Sequence, residues 1–310
     1  MFGNLYRANS SNQNTRRSRD SFASDTSSPS CRRKNTDLTI DPRDGVGRER
    51  AESPQPQPHP LTTRLTSTLL ESSSAEFKAA TQHPFLVSAG KGTLSKHDLS
   101  RWLSQDRLYA ETYISFISSL IARVTLPYTF VGDKSRSLRW RIINLLTVAL
   151  TNIHRELDFF TTTAQKYGLR LDQPFSNDAD EGTFSPNSIT AQYLTLFCSF
   201  HLDPEQSLLE GLLVLWATEK CYLEAWSYAS TFLAQDVRGA DDADGGALRD
   251  EFIPNWSSSE FEAFVRDIAD VTDELAVREG SLKKIEVFRA LWLHVLEIER
   301  GFWPDVGGGS

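Results

Sequence analysis

From Leu61 onward, apolar residues recur every three to four positions, and no stretch sustains the strict alternation of a half-buried strand. The spacing predicts helices near 63–82, 95–123, 136–167, 188–200, 204–233, 257–277 and 281–302, seven helices and no sheet. Ser95 with Asp98 three residues on reads as a capping box for the second helix, and Gly168 after Tyr167 reads as the stop of the third. Two polar segments interrupt the pattern, 170–187 and 236–248. Their Gly, Pro and Asp content predicts mobile surface connections. The acids of the second segment lack the alternating ligands and closing Glu of an EF-hand loop, so a solvated loop is expected there rather than a calcium site.

The first 60 residues follow another pattern. They hold 12 hydrophobic positions, are rich in Ser, Asn, Arg and Pro, and carry 10 basic against 7 acidic side chains. Such a segment cannot bury enough apolar surface to offset its ordering entropy, which predicts a disordered tail over 1–60 and one helical domain over 61–310. The remaining 250 residues carry 23 basic and 34 acidic side chains, net −11. An acidic body argues against a nucleic-acid binder, because that affinity comes mainly from clustered Lys and Arg. No apolar run reaches the ~18 residues needed to span a bilayer, so no membrane partner is expected. Cys31, Cys198 and Cys221 form no CxxC pair, which suits a reducing compartment. The four arginines up to Arg19 carry the alternative of a mitochondrial presequence, but Asp20 and Asp25 follow and no apolar face is visible, so a cytoplasmic location is expected.

Within the body, the informative residues are carboxylates standing in apolar stripes, since Asp and Glu are almost never buried unless paired. Glu299 shares a helical face with Phe288, Trp292, Val295 and Phe302. Glu219 stands among Leu212, Leu215, Tyr222 and Trp226. Asp106 is followed on its face by Tyr109, Tyr113 and Phe116, and Glu156 stands among Ile142, Leu146, Ala149, Ile153 and Phe160. Four inward acids on four helices imply one shared polar pocket, because facing helices of a bundle build sites from inward side chains. For Glu156 a purely structural role, holding helices in register by a buried hydrogen bond, is an equal alternative. Aromatic walls with convergent acids suit a flat heterocycle.

A carboxylate-bridged metal pair is not supported. No Glu-x-x-His occurs and no two histidines are four residues apart, so neither metal nor another cofactor is expected. Cys221 lies off the acid stripe and Cys198 in an apolar run, and both read as packed thiols.

Four motifs, His83-Pro84-Phe85, Gln105-Asp106-x-x-Tyr109, Trp216-Ala217-Thr218-Glu219-x-x-Tyr222-x-x-Ala225-Trp226 and Glu299-x-x-Phe302-Trp303, resemble in order and spacing the landmarks of the TenA (thiaminase II) family. The resemblance spans about residues 62–304. It implies an all-α, haem-oxygenase-like multi-helix bundle, used without haem, and hydrolysis of aminopyrimidines in thiamin salvage. In the cysteine-bearing branch a Cys four residues before the helix tyrosine is the nucleophile. Thr218 holds that position here, so the chain resembles the branch that lacks the cysteine and carries a nearby glutamate, Glu219. By the same resemblance Asp106 orients the pyrimidine with support from Tyr109, while Tyr193 and Trp256 stand where the family places ring-stacking or hydroxyl-bearing residues. Homo-oligomers are common in the family, which makes one the expectation here.

These readings combine into an expected activity, hydrolysis of an aminopyrimidine or formylaminopyrimidine by water held between Glu219 and Glu299. Two acids close together in an aromatic pocket push their pKa values apart, which permits one to act as base and the other as acid. The alternative is a non-catalytic or regulatory pyrimidine-binding protein on the same fold.

Overall fold

The computed structural model describes residues 64–174, 184–280 and 285–306. The expected tail lies outside the described residues. Among the described residues there are helices and no strands. In chain order they are α1 (Leu65–Ser72), α2 (Ser74–Thr81), α3 (Pro84–Gly90), α4 (Lys96–Arg123), α5 (Leu138–Tyr167), α6 (Ser188–Leu202), α7 (Leu208–Ser230), α8 (Ile253–Trp256), α9 (Ser259–Arg278) and α10 (Ile285–Phe302).

The long helices follow the predicted ones closely because their ends are marked by local chemistry. Ser95 Oγ accepts from the Asp98 N–H at 3.1 Å and donates to its carboxylate at 2.7 Å, which starts α4. Gly168 adopts the left-handed conformation that ends α5. A complete capping box, Ser207 with Glu210, starts α7.

One predicted helix is split. The 63–82 stretch breaks at Ser73, whose hydroxyl bonds to the Leu69 carbonyl at 2.6 Å and accepts the Trp292 indole N–H at 2.6 Å. A hydroxyl that competes with the backbone ladder and is anchored by a distant tryptophan turns one helix into two, α1 and α2. The unforeseen α3 starts at Pro84, which pre-sets the helical φ, after His83 has capped the Phe85 N–H at 3.2 Å.

The 236–248 segment is also not the mobile connection its composition suggests. Asp242 is buried and pairs with the Arg249 guanidinium at 2.7 and 3.1 Å, and Asp244 accepts from the Gly246 and Leu248 N–H groups at 3.0 and 2.7 Å. Asp244 thus pins the backbone and Asp242 anchors Arg249. A wide π turn, Leu248–Phe252, follows and gives way to α8, where Pro254 has no N–H to return to the preceding turn. The described ends of the 170–187 segment are held to α4 as well. Ser104 bonds with Arg170 and Gln173, and Gln105 bonds with Ser185 and Asn187.

The bundle is organised around α7, which is apolar on all sides from Leu212 to Ala217 and is covered by α2, α3, α8, α9 and α10. On its flank, α4 packs between α5 and α6, with the Phe116 and Phe197 rings stacked 4.6 Å apart. At one end of the core Trp102, Trp226, Trp256 and Trp303 pack on one another with centroids 4.6 to 5.9 Å apart. The Trp303 indole closes the chain end onto the Ala80 carbonyl at 2.8 Å. No described helix is long and apolar enough to cross a membrane.

Candidate active site

Between α4, α5, α7, α8 and α9 lies a cavity with about 480 Å³ of space between atoms, counted to its open mouth. Three carboxyl groups line it, Asp106 from α4, Glu156 from α5 and Glu219 from α7. Tyr109, Tyr113, Tyr222, Trp256, Phe160, Phe261 and Phe264 supply the aromatic walls.

Each acid is braced by an aromatic donor from another helix. Tyr222 of α7 donates to Asp106 of α4 at 2.8 Å, and Tyr113 of α4 donates to Glu219 of α7 at 2.5 Å. These two bonds cross-link the same pair of helices in opposite directions. Trp256 of α8 donates its indole N–H to Glu156 Oε1 at 2.6 Å. Glu156 Oε2 is buried and has no hydrogen-bond partner among the described residues.

Burial dominates the electrostatics. It pushes Asp106 up to about 7, against the opposing pull of the Tyr222 bond, with Glu219 adding repulsion. It pushes Glu219 up to about 7, with the Tyr113 bond opposing. Glu156 rises well above the usual carboxylate range, opposed by Trp256 and reinforced by the charges of Asp106 and Glu219. Desolvation also lifts Tyr109 and Tyr222 well above the ordinary phenol range, so both remain hydroxyl donors at neutral pH. Asp106 and Glu219 are therefore the two lining groups raised close to neutrality, which suits groups that both give and take protons.

The residues expected from sequence divide into two sets. Asp106, Tyr109, Glu156, Glu219, Tyr222 and Trp256 line the cavity. Glu299, Tyr193 and Thr218 do not. Glu299 is buried one layer back, where the Tyr193 hydroxyl donates to it, and burial pushes it up to about 8. Tyr193 packs edge-on against the cavity-lining Tyr109 at 5.0 Å. α10 packs chiefly against α7 and α2, and Glu299 reaches across to Tyr193 of α6. Thr218 is buried with its hydroxyl turned back on the Val214 and Leu215 carbonyls of its own helix, at 3.2 and 3.1 Å. Cys221 is fully buried, and desolvation lifts its thiol well above the ordinary range, which keeps it an unreactive thiol.

Two polar lining residues fall outside the expected set. Tyr113 stands on the Asp106 stripe seven residues on, where its hydroxyl reaches Glu219. Asn152 precedes Glu156 by one helical turn and so shares its face. In both cases the helical period carried the signal.

Residues 73–307 match the model of the TENA/THI-4/PQQC family. The chain belongs to this family. It is 30% identical over 255 residues to a Fusarium pseudograminearum protein named "Probable transcription factor", covering 74% of this chain and 48% of that one. It therefore spans about half the length of that relative. A Glycine max protein named "Probable bifunctional TENA-E protein" is 21% identical over 241 residues, covering 77% of this chain and 91% of the other. Among solved structures, a TenA homologue from Pyrococcus furiosus superposes with a TM-score of 0.60 at 23% identity, over 77% of this chain and 98% of its own. A TenA homologue from P. horikoshii gives a TM-score of 0.57 at 18% identity, over 78% and 97%. The TenA-family chain thus has the helical haem-oxygenase-like fold expected of it. Among its described residues no cluster of three or more His, Cys, Asp or Glu is arranged to hold a metal ion.

Proposed function

We propose that this TenA-family protein hydrolyses a C–N bond of an aminopyrimidine related to the pyrimidine half of thiamin. The observation that carries this reading is the placement of Asp106 and Glu219, both raised to about 7, on facing helices of one aromatic-walled cavity. The flat walls suit a heteroaromatic ring. Asp106 offers its free Oδ1, and the second lone pair of the Oδ2 that Tyr222 already bonds, to the amidine edge of the ring, the exocyclic amine and the adjacent ring nitrogen, with one proton shared between carboxyl and ring.

Glu219 is the base. Tyr113 occupies its Oε1, which leaves Oε2 to hold a water molecule. The water oxygen bonds to the carbon of the scissile C–N bond while Glu219 takes its proton. The C–N electron pair leaves with nitrogen, and Glu219 returns the proton there. A carboxyl titrating near neutrality can do both. With Thr218 where the cysteine-bearing branch has its nucleophile, no covalent intermediate is assigned. Glu299 acts as a positioning residue through Tyr193 and Tyr109. An N-formyl and an aminomethyl substrate both fit this sequence of steps.

A panel of thiamin, aminomethylpyrimidine and formylaminopyrimidine, with products detected by mass, tests the reading. Release of the aminopyrimidine or hydroxymethylpyrimidine by the wild type, lost in Glu219→Gln, is expected. Full turnover in Glu219→Gln would sink the mechanism. Thr218 and the name of the Fusarium relative favour a second reading, ligand binding without turnover. Thermal stabilisation by aminopyrimidines with no product formed would select it.

A further inference from the structure

Glu156 differs from the other two lining acids. Asp106 and Glu219 each accept a hydroxyl from the helix opposite. Glu156 accepts an indole N–H on Oε1 and keeps Oε2 buried, facing no protein donor or acceptor among the described residues. A buried polar atom without a partner is destabilising, so a side chain retained in that state calls for a partner that arrives with the ligand. A role confined to holding α5 against α8 needs Oε1 alone. Glu156 also stands on a different helix from Asp106, so a ring held at its amidine edge by Asp106 still presents other atoms to Glu156.

We propose that Glu156 is a second recognition group for the ring, with Oε2 carrying a proton that it donates to the ring nitrogen not adjacent to the amine. This rests on the aminopyrimidine reading of the site. The ligand class it selects is a six-membered ring with an amidine edge and a second, unprotonated nitrogen acceptor, which excludes 2-aminopyridines. The chemistry is consistent on both sides. Burial holds Glu156 in its neutral form, opposed by Trp256 and aided by the charges of Asp106 and Glu219, so the carboxyl is a donor at pH 7. Trp256 can only donate, and its bond to Oε1 favours the proton on Oε2, because the carbonyl oxygen of a carboxylic acid is the better acceptor. Glu156 is thus a specificity-determining residue rather than a proton carrier in the reaction.

The test compares binding of 4-amino-5-hydroxymethyl-2-methylpyrimidine with that of its pyridine analogue, in which the nitrogen remote from the amine is CH. Affinities are measured by calorimetry at pH 7 for wild type, Glu156→Gln and Glu156→Leu. The analogue also differs in basicity, but equally for all three proteins, so the ratio of the two affinities isolates Glu156. The expected pyrimidine preference is at least about tenfold larger in wild type than in Glu156→Leu, the size of one buried hydrogen bond. Glu156→Gln keeps most of it, because its amide can still donate. An equal ratio in wild type and Glu156→Leu overturns the proposal while leaving the aminopyrimidine reading in place. Failure of the wild type to bind either compound overturns both. Should Glu156→Leu not fold, the wild type with ring-15N-labelled pyrimidine decides. The remote nitrogen resonance moves upfield on binding if it accepts a hydrogen bond, and an unmoved resonance overturns the proposal.

Discussion

Tyr113 and Glu219, 106 residues apart, meet in a 2.5 Å hydrogen bond that runs from α4 to α7. It fixes one carboxylate oxygen and leaves the other to the cavity. The reciprocal bond from Tyr222 to Asp106 places a second acid on the opposite side of the same helix pair. Each of the two acids is thereby braced from the opposite helix, and neither forms an ion pair with a basic side chain among the described residues.

Removing a brace shifts the acid it serves. The Tyr222 bond pulls Asp106 down against burial, so Tyr222→Phe raises Asp106 above about 7. The pH at which aminopyrimidine affinity changes should move to higher pH in this variant. An unchanged profile in titration calorimetry from pH 5 to 9 would contradict the assignment of that titration to Asp106.

Glu219→Gln keeps the shape of the wall and loses the proton acceptor. Turnover should fall by about 10² to 10⁴, the usual contribution of a general base, while affinity for a product pyrimidine changes little. Steady-state kinetics with parallel binding measurements separate the two effects.

Stability should depend on pH in an unusual direction. Asp106, Glu219 and Glu299 have native values of about 7, 7 and 8, above their unfolded values near 4. The native state therefore binds more protons between these limits, and stability from these groups is fully present below pH ~4 and is lost as pH rises through 7 to 8. The Tm should rise as pH is lowered from 8 to 5, and Glu299→Gln should flatten the curve at its alkaline end. A Tm that falls over this range in both proteins would refute the buried placement of these acids.

Cys221→Ala should retain turnover within about twofold and lose about 1 kcal/mol of stability, since the thiol is packed and neutral. Denaturant unfolding together with the product assay checks both halves. Loss of activity with stability intact would instead make the thiol a reactant.

Asp273 closes the N-terminal end of the described bundle. It accepts from the Thr66 N–H at 2.9 Å and the Thr66 hydroxyl at 2.8 Å, both buried. Asp273→Ala leaves two donors unsatisfied and should cost about 2 to 4 kcal/mol, with faster amide exchange concentrated in α1. Uniform acceleration of exchange across the bundle would show that α1 is not a separable unit.

Much of this molecule is legible along the chain. The helical period alone places Asp106, Glu156, Glu219 and Glu299 on inward faces, and all four are buried or line the cavity. Ser95 and Gly168 mark helix ends by rules that act over three or four residues. The features that period and composition do not show rest on side-chain pairings, whether the partner is seven residues away or more than two hundred. Ser73 breaks a helix because Trp292 reaches it, the Asp242–Arg249 pair rigidifies a stretch whose composition reads as loose, and Trp256 finds Glu156 across 100 residues.

Periodicity states which way a side chain points from its own helix axis, and so it determined that four acids face inward in an all-helical body. It carries no information on which neighbouring helix lies in that direction, because that follows from how ridges and grooves of distant segments pack. Tertiary packing alone decided that Asp106, Glu156 and Glu219 share one cavity, and that Glu299, equally inward, stays out of its lining with Tyr193 as its partner.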